Sequence, residues 1–120
     1  MAQRPCITIV GTGLIGASLG MAILRARGDE IDVLGHDIDP GQATLARRMG
    51  AVTKVDRNLI SACAKADMLI LAIPASGIRE TLELVANDLK DGCVVTDTAS
   101  VKVPVLQWAD ELLPSGVSYV

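Results

Sequence analysis

The sequence has very few aromatic residues and no concentration of positive charge. Its 120 residues include no phenylalanine, one tryptophan and one tyrosine, so that aromatic residues make up 2%. Stacking of nucleic-acid bases on aromatic side chains is therefore not expected. The chain carries 14 acidic and 11 basic residues, a net charge of −3, and no basic run that would attract a polyanion. Nucleic acid is thus excluded as an expected partner.

Long hydrophobic runs and metal-binding cysteine spacings are also missing. No apolar run approaches membrane length, and strand character begins at Ile7 without a cleavable hydrophobic segment, so we expect a cytoplasmic protein with no membrane partner. Cys6, Cys63 and Cys93 share neither a metal-site spacing nor a Cys-x-x-Cys motif, which predicts reduced, packed thiols and no metal. Half of the residues are apolar and the mean hydropathy is +0.41, as is typical of a parallel sheet covered on both faces.

The most informative feature that is present is a strand running directly into three spaced glycines. Residues 7–10 have strand character, and Gly11, Gly13 and Gly16 follow before an apolar helical segment over about 14–27. Gly11 permits a tight turn, Gly13 has no Cβ to keep a pyrophosphate from the backbone, and Gly16 lets the helix pack closely on the strand. The N–H groups and positive dipole end of the helix would then face phosphates. A glycine turn that binds nothing is the alternative.

An acidic residue stands where such a unit needs one. A second strand over about 31–36 leads to Asp37, which is twenty-one residues after Gly16. An acidic residue about 20 residues beyond the glycines accepts a hydrogen bond from the adenosine ribose 2′-OH of NAD. The 2′-phosphate of NADP would meet a like charge there, and no Arg or Lys lies within 31–44 to attract it. The predicted cofactor is therefore NAD, with a solvated loop carboxylate as the alternative for Asp37.

Strands and helices alternate along the whole chain. The predicted strands are about 6–10, 31–36, 52–55, 68–73, 93–97 and 117–120, and the predicted helices about 14–27, 40–49, 58–65, 77–87 and 103–113. Asp39 is expected to cap the second helix ahead of Pro40, and Ser76 the fourth. This alternation predicts one α/β domain over 1–120, a Rossmann-type doubly wound parallel six-stranded sheet in the order 3-2-1-4-5-6.

In that topology a ligand crevice opens where the strand order reverses, at the carboxyl ends of strands one and four. The glycine turn, residues 72–74 and residues 96–102 all meet there. His36 is expected to be a partly exposed strand-end residue. The predicted cofactor-binding residues are Gly11, Thr12, Gly13, Leu14, Ile15, Gly16, Asp37, Ile38, Ala72, Ile73, Pro74 and Thr98.

Four segments resemble the prephenate and arogenate dehydrogenases of tyrosine biosynthesis, and the resemblance covers essentially the whole chain. They are residues 11–20, 35–40, 71–74 and above all 95–102, which reads Val-Thr-Asp-Thr-Ala-Ser-Val-Lys. The family typically has Thr-Asp-x-Gly-Ser-Val-Lys in the last segment, where this chain replaces the glycine with Ala99. The family also often has Pro-Val after strand four, where this chain has Pro74 and then alanine.

The resemblance implies an NAD-dependent dehydrogenase that carries out oxidative decarboxylation of prephenate or arogenate. It implies that Ser100 contacts the substrate hydroxyl beside a histidine; capping of the fifth helix is the alternative for Ser100. In the family that histidine follows a strand like 117–120 in a Gly-Gly-His-Pro loop. It has no match here, because His36 belongs to the adenosine end of the cofactor. The family's helical substrate and dimerisation domain has no match either. We therefore expect the NAD-binding part of a homodimeric enzyme, inactive as residues 1–120 alone.

Two other functions remain open at this stage. One is the nucleotide domain of another small-acid or imine oxidoreductase, such as a hydroxyacid dehydrogenase or a pyrroline carboxylate reductase, against which the segment 96–102 argues. The other is a free-standing dinucleotide-binding module, which would need no catalytic histidine. If a second domain packs on this one, the surface around the strand ends and after the fifth helix should be unusually apolar.

Overall fold

The computed structural model describes residues 4–100 and 102–120. Within them six strands alternate with five helices. The strands are β1 (Cys6–Val10), β2 (Asp32–His36), β3 (Lys54–Val55), β4 (Met68–Leu71), β5 (Val94–Asp97) and β6 (Ser118–Tyr119). The helices are α1 (Leu14–Arg27), α2 (Pro40–Arg48), α3 (Leu59–Ala64), α4 (Ala75–Val85) and α5 (Lys102–Leu112), with a 3-10 turn over Ala86–Asp88. Val101 of the family-like segment lies outside the described residues.

The strands form one parallel sheet in the order β3-β2-β1-β4-β5-β6, which confirms the predicted fold. The central strand β1 pairs with β2 on one side and with β4 on the other, so that Ile7 lies beside both Val33 and Met68. The chain first builds outward from β1 to β3 and then returns to build from β4 to β6. The order therefore reverses between β1 and β4, and the crevice at their carboxyl ends is the expected ligand site.

Apolar side chains project from both faces of the sheet, which explains the high apolar content of the sequence. Ile9 and Ile70 belong to one buried cluster, with α1 and α2 packed on it, while Val10 and Leu71 belong to a second cluster beneath α4 and α5. Neighbouring residues along a strand point to opposite faces, so central strands covered twice need continuous apolar sequence. No helix in the described parts of the chain has the length and apolarity needed to cross a membrane.

The backbone of helix α1 packs directly against two connecting segments, at positions one helical turn apart. A Cβ added at Gly16 would lie 1.9 Å from the Gly11 carbonyl oxygen, and one at Gly20 would lie 2.0 Å from the Ala51 carbonyl oxygen. Both distances are far below van der Waals contact, so any larger residue would push the helix away. The two glycines thus fix the position of α1.

One predicted helix cap is confirmed by the structure and another is wrong. Asp39 caps α2 as predicted, with its Oδ1 accepting a hydrogen bond from the Gly41 N–H at 2.9 Å. Ser76 does not cap α4. That helix begins at Ala75, directly after Pro74, which occupies the cap position with φ −56° and ψ 146°. The fixed φ of proline allows the turn into the helix without a side-chain cap.

Three aspartates make the fold sensitive to acid. The Cys6 N–H and Lys90 lower the pKa of Asp67, and hydrogen bonds to Asp56 and Asp97 outweigh the burial that would raise their pKa values. A carboxyl whose pKa is lowered on folding stabilises the fold above its unfolded pKa, about 3.9, and that contribution is lost as the pH falls through the folded pKa. The urea midpoint should therefore fall as the pH drops below about 4. Asp56→Asn should make the acid-induced decrease of the urea midpoint smaller. Asp110→Asn, a control at an exposed residue, should leave that decrease unchanged.

The three cysteines are free thiols in the structure. Cys63 and Cys93 are buried, and burial raises the pKa of Cys63 to about 12. Such thiols carry almost no thiolate at neutral pH and are poor nucleophiles. No group of three or more His, Cys, Asp or Glu side chains in residues 4–100 and 102–120 is arranged to hold a metal ion.

Candidate dinucleotide-binding site

The three glycines of the turn between β1 and α1 have two different roles. Gly11 has a φ of +95°, and a Cβ there would lie 2.3 Å from the Ala72 carbonyl oxygen. Gly16 packs against Gly11 in the same way, so these two glycines are required by the fold. Gly13 is exposed, and a Cβ on it would meet no heavy atom within 4 Å. The open space above Gly13 is therefore available to a ligand.

The start of α1 offers backbone donors to that space. The helix begins at Leu14, with Gly13 at its cap, and has neither a side-chain cap nor an acidic residue in its first turn. The first N–H groups of a helix lack partners within the helix and carry its partial positive charge. They therefore suit an anionic ligand such as a pyrophosphate. Leu14 and Ile15 are 86% and 58% exposed beside it and give the site an apolar side.

Asp37 is bonded directly to the glycine turn. Its Oδ2 accepts hydrogen bonds from the Thr12 N–H at 2.8 Å and the Thr12 hydroxyl at 3.1 Å, and its Oδ1 accepts one from the Asp39 N–H at 2.9 Å. An ionised carboxylate has about four acceptor positions, so roughly one remains for a ribose hydroxyl. Thr12 is 3% exposed and does not line the cleft. It holds Asp37 in place instead.

Two adjoining clefts run across the carboxyl ends of the strands. The first has a volume of about 440 Å³, and the predicted residues along it are Gly11, Gly13, Asp37, Ile38, Ala72, Ile73 and Pro74. The second has a volume of about 490 Å³, and the predicted residues along it are Gly13, Leu14, Ile15, Ala72, Ile73, Pro74, Thr98 and Ser100. Of the predicted site residues, only Thr12 and Gly16 lie beneath the clefts instead of lining them.

The far end of the first cleft is lined by residues that were not predicted from the sequence. Leu59 and Leu84 line it beside Ile38, which is 97% exposed, and together they form an apolar slot. Arg57 lies on the same surface as Asp37, although no cation was found near Asp37 in the sequence. The pairing of Val55 with Gly35 explains this, because parallel neighbours end at the same edge of the sheet. The alignment of the third strand could have indicated Arg57.

His36 was expected to be partly exposed, but the structure buries it, with 8% of its surface exposed. Its Nδ1 lies 2.9 Å from the Asp56 carbonyl oxygen, because the chain leaving β3 folds over it. Its own carbonyl oxygen accepts a hydrogen bond from the Gly11 N–H at 2.8 Å. His36 therefore supports the glycine turn from the first cleft, whereas Ser100 lies on the second.

The loop that carries Ser100 is held by a buried carboxylate. The Asp97 side chain is 0% exposed, and its Oδ1 accepts a hydrogen bond from the Ala99 N–H at 2.7 Å. Its Oδ2 accepts from the Lys102 ammonium group at 3.0 Å and from the Tyr119 hydroxyl. Burial alone would raise the pKa of Asp97, but the bonds from Tyr119, Lys102 and Ala99 outweigh it and lower the pKa. Ser100 itself is exposed.

The fold and this crevice define a Rossmann-type nucleotide-binding domain. Its glycine turn, open helix start and acidic residue at the tip of β2 meet at the point where the strand order reverses. Comparison with known proteins narrows this class. Residues 21–120 match the family model described as the nucleotide-binding domain of prephenate dehydrogenase. The chain therefore belongs to the family of prephenate dehydrogenase nucleotide-binding domains.

Individual relatives agree with this assignment. The prephenate dehydrogenase of Lactococcus lactis subsp. cremoris is 37% identical over 108 residues, which is 88% of this chain and 29% of that protein. The crystal structure of Synechocystis arogenate dehydrogenase superposes with a TM-score of 0.80 at 34% identity, over 89% of this chain and 37% of that one. Prephenate dehydrogenase from A. aeolicus, in complex with hydroxyphenyl propionate and NAD+, has the same fold: its TM-score is 0.84 at 24% identity, over 97% of this chain and 41% of that one. The chain thus spans between 29% and 41% of the length of these relatives.

Proposed function

We propose that this chain is the NAD-binding domain of a dehydrogenase that acts on prephenate or arogenate. The observation that carries the proposal is Asp37, which is bonded to the glycine turn, lines the first cleft and has about one acceptor position left. The family match and the space above Gly13 support the same function. Other small-acid and imine dehydrogenases share the fold, and the segment 95–102 is the reason for preferring this substrate class.

The residues present fit a dinucleotide from one end to the other. The slot between Ile38, Leu59 and Leu84 suits an adenine ring, and Asp37 suits its ribose. The start of α1 above Gly13 suits the pyrophosphate. The second cleft, with Ile15, Pro74 and Thr98, would take the nicotinamide.

When bound, NAD would supply the hydride acceptor for oxidation at the ring carbon that bears the hydroxyl, and loss of the carboxylate would make the ring aromatic. The part of this chain is to hold and orient the reactants. Ser100 opens onto the second cleft, where its hydroxyl would hydrogen-bond the substrate hydroxyl. Hydride transfer requires such near-attack geometry. The reaction also requires a proton acceptor, and His36, the only histidine in the sequence, is bonded elsewhere.

Residues 1–120 by themselves should bind one NADH but produce no NADH from prephenate or arogenate. Binding needs only the crevice described above, whereas turnover needs a base and a second wall around the substrate. NADH fluorescence titration and absorbance at 340 nm make the two measurements. Failure to bind NADH would refute the proposal, and clear turnover would refute the division of labour within it.

Exposed apolar side chains fit the expectation of a second domain. Val103, Leu106 and Val120 are 69%, 47% and 71% exposed, on α5 and just after β6. We propose that the complete enzyme covers this surface and forms a homodimer through the added domain. A cytoplasmic location remains a prediction.

A further inference from the structure

Asp97 is the most completely buried charged side chain in the described ion pairs, and its three hydrogen-bond donors come from three different parts of the chain. Ala99 belongs to the loop after β5, Lys102 begins α5 and Tyr119 is in β6. Removing water from a carboxylate is costly unless hydrogen bonds replace it. A carboxylate held in this way cannot move without breaking bonds to all three segments.

Each segment that Asp97 joins also has its own contacts with the rest of the fold, and α5 packs into the core through Val105. The Ser100 loop is tied to the sheet by the Thr98 N–H, which donates to the Leu71 carbonyl at 3.2 Å. β6 is two residues long and pairs with β5 through the Ser118 N–H, which donates to the Cys93 carbonyl at 3.0 Å, and the Val120 N–H, which donates to the Val95 carbonyl at 2.9 Å. The Thr96 hydroxyl adds a bond to the Val120 carbonyl at 2.9 Å. The Asp97 carboxylate adds a hydrogen-bonded link between the loop, at Ala99, and the last strand, at Tyr119.

We propose that Asp97 is a positioning residue, whose carboxylate holds the loop that presents Ser100 to the second cleft and fixes that loop relative to Tyr119 in β6. The catalytic consequence rests on the proposed function, in which Ser100 contacts substrate. The structural consequence, a loop that loosens when the carboxylate is removed, does not depend on it. Asp97 touches no part of either cleft, so its effect would pass entirely through Ser100 and its neighbours.

The sequence provides a spectroscopic test, because Tyr119 is its only tyrosine. Burial, followed by the bond to Asp97 and its negative charge, raises the pKa of Tyr119 above its ordinary value. Asp97→Asn should bring the ultraviolet titration of the phenol to lower pH. The Ala99 amide should exchange its hydrogen about tenfold faster or more, since a charged bond is replaced by a weaker one. Thr96→Val is the matched control: it removes the hydroxyl bond to Val120 but leaves the β5–β6 backbone bonds and all three bonds to Asp97, so both readings should stay near wild type.

Activity is measured in the complete enzyme. Asp97→Asn should lower kcat about 100-fold, the size of effect expected when a reacting group is misplaced by about 1 Å. Its NADH Kd should change less than about threefold, because the glycine turn is untouched. If Asp97→Asn does not fold, Tyr119→Phe removes one donor only and should give faster Ala99 exchange with a smaller loss of kcat.

The outcomes separate the two proposals. Unchanged Ala99 exchange and an unchanged tyrosine titration in Asp97→Asn would overturn the role of Asp97, whatever the enzyme does. A loosened loop with wild-type kcat would overturn its effect on catalysis and leave the proposed function intact. A wild-type protein that does not bind NADH would overturn the proposed function, while exchange and titration would still decide whether Asp97 holds the loop.

Discussion

Gly13→Val should lower NADH affinity at least about 100-fold, roughly 2.7 kcal/mol, while the domain stays folded. The valine side chain would project into the open space above the turn, where the pyrophosphate would approach the backbone. The fold should tolerate it, because Gly13 has a φ of −72° and no heavy atom near its Cβ position. Valine is a poor helix cap, so the free energy of unfolding should fall by no more than about 1 kcal/mol. Calorimetric NADH titration and urea unfolding measure the two effects.

Gly16→Ala is the matched control at the same turn. Its Cβ would collide with the Gly11 carbonyl, so this smaller change should cost several kcal/mol of stability, with any loss of binding following from unfolding. Opposite behaviour of the two glycines would separate the needs of the ligand from those of the fold. If Gly13→Val bound NADH as tightly as the wild type, the cofactor could not lie across this turn.

Asp37→Ala should weaken NADH binding by about 1.5–3 kcal/mol, roughly 10- to 150-fold, because a charged hydrogen bond to the ribose is lost. The same substitution should not weaken NADPH binding. Its 2′-phosphate would no longer meet the carboxylate, and Arg57 already lies on the same surface. We therefore expect the preference for NADH to disappear, with NADPH affinity unchanged or higher. Titration of each variant with both cofactors measures the discrimination directly.

Two neighbours make this result interpretable. Asp37 also holds Thr12, so Thr12→Val, which removes the 3.1 Å hydroxyl bond and keeps the backbone bond, reports how far a looser turn alone weakens binding. Asp39→Ala removes the cap of α2 and should cost about 1 kcal/mol of stability with little change in NADH affinity. Asp37→Ala combined with Arg57→Ala should bind NADPH less tightly than Asp37→Ala alone. Unchanged affinity and unchanged discrimination in Asp37→Ala would remove Asp37 from the site.

The parts of this molecule that could be predicted from sequence are those set by local patterns. Alternating apolar strands and helices determine the parallel sheet and its strand order, and the spacing of the glycines determines the turn. The Asp39 cap was predictable because its signal lies within three residues. Ser76 failed as a cap because Pro74, two residues earlier, occupies the cap position and Ser76 lies inside the helix.

What could not be predicted depends on contacts between distant segments. Arg57 reaches the surface of Asp37 only because β3 pairs with β2 in a particular register. His36 is buried because the chain at Asp56, twenty residues later, covers it. Asp97 stood inside the most family-like segment, yet its main partner, Tyr119, is 22 residues away in a strand of two residues. Such pairings need the register of the folded sheet, which no single stretch of sequence contains.

The two backbone contacts of α1, at Gly16 and Gly20, have a consequence for how ligands are recognised. A helix fixed at these points holds its first N–H groups in position before any ligand arrives, so the entropy of ordering them is lost during folding and not during binding. Ordering even a few backbone residues at the moment of binding would cost about 1–2 kcal/mol each. Phosphate recognition here is therefore rigid, because the fold has already placed the donors of α1 where the ligand needs them.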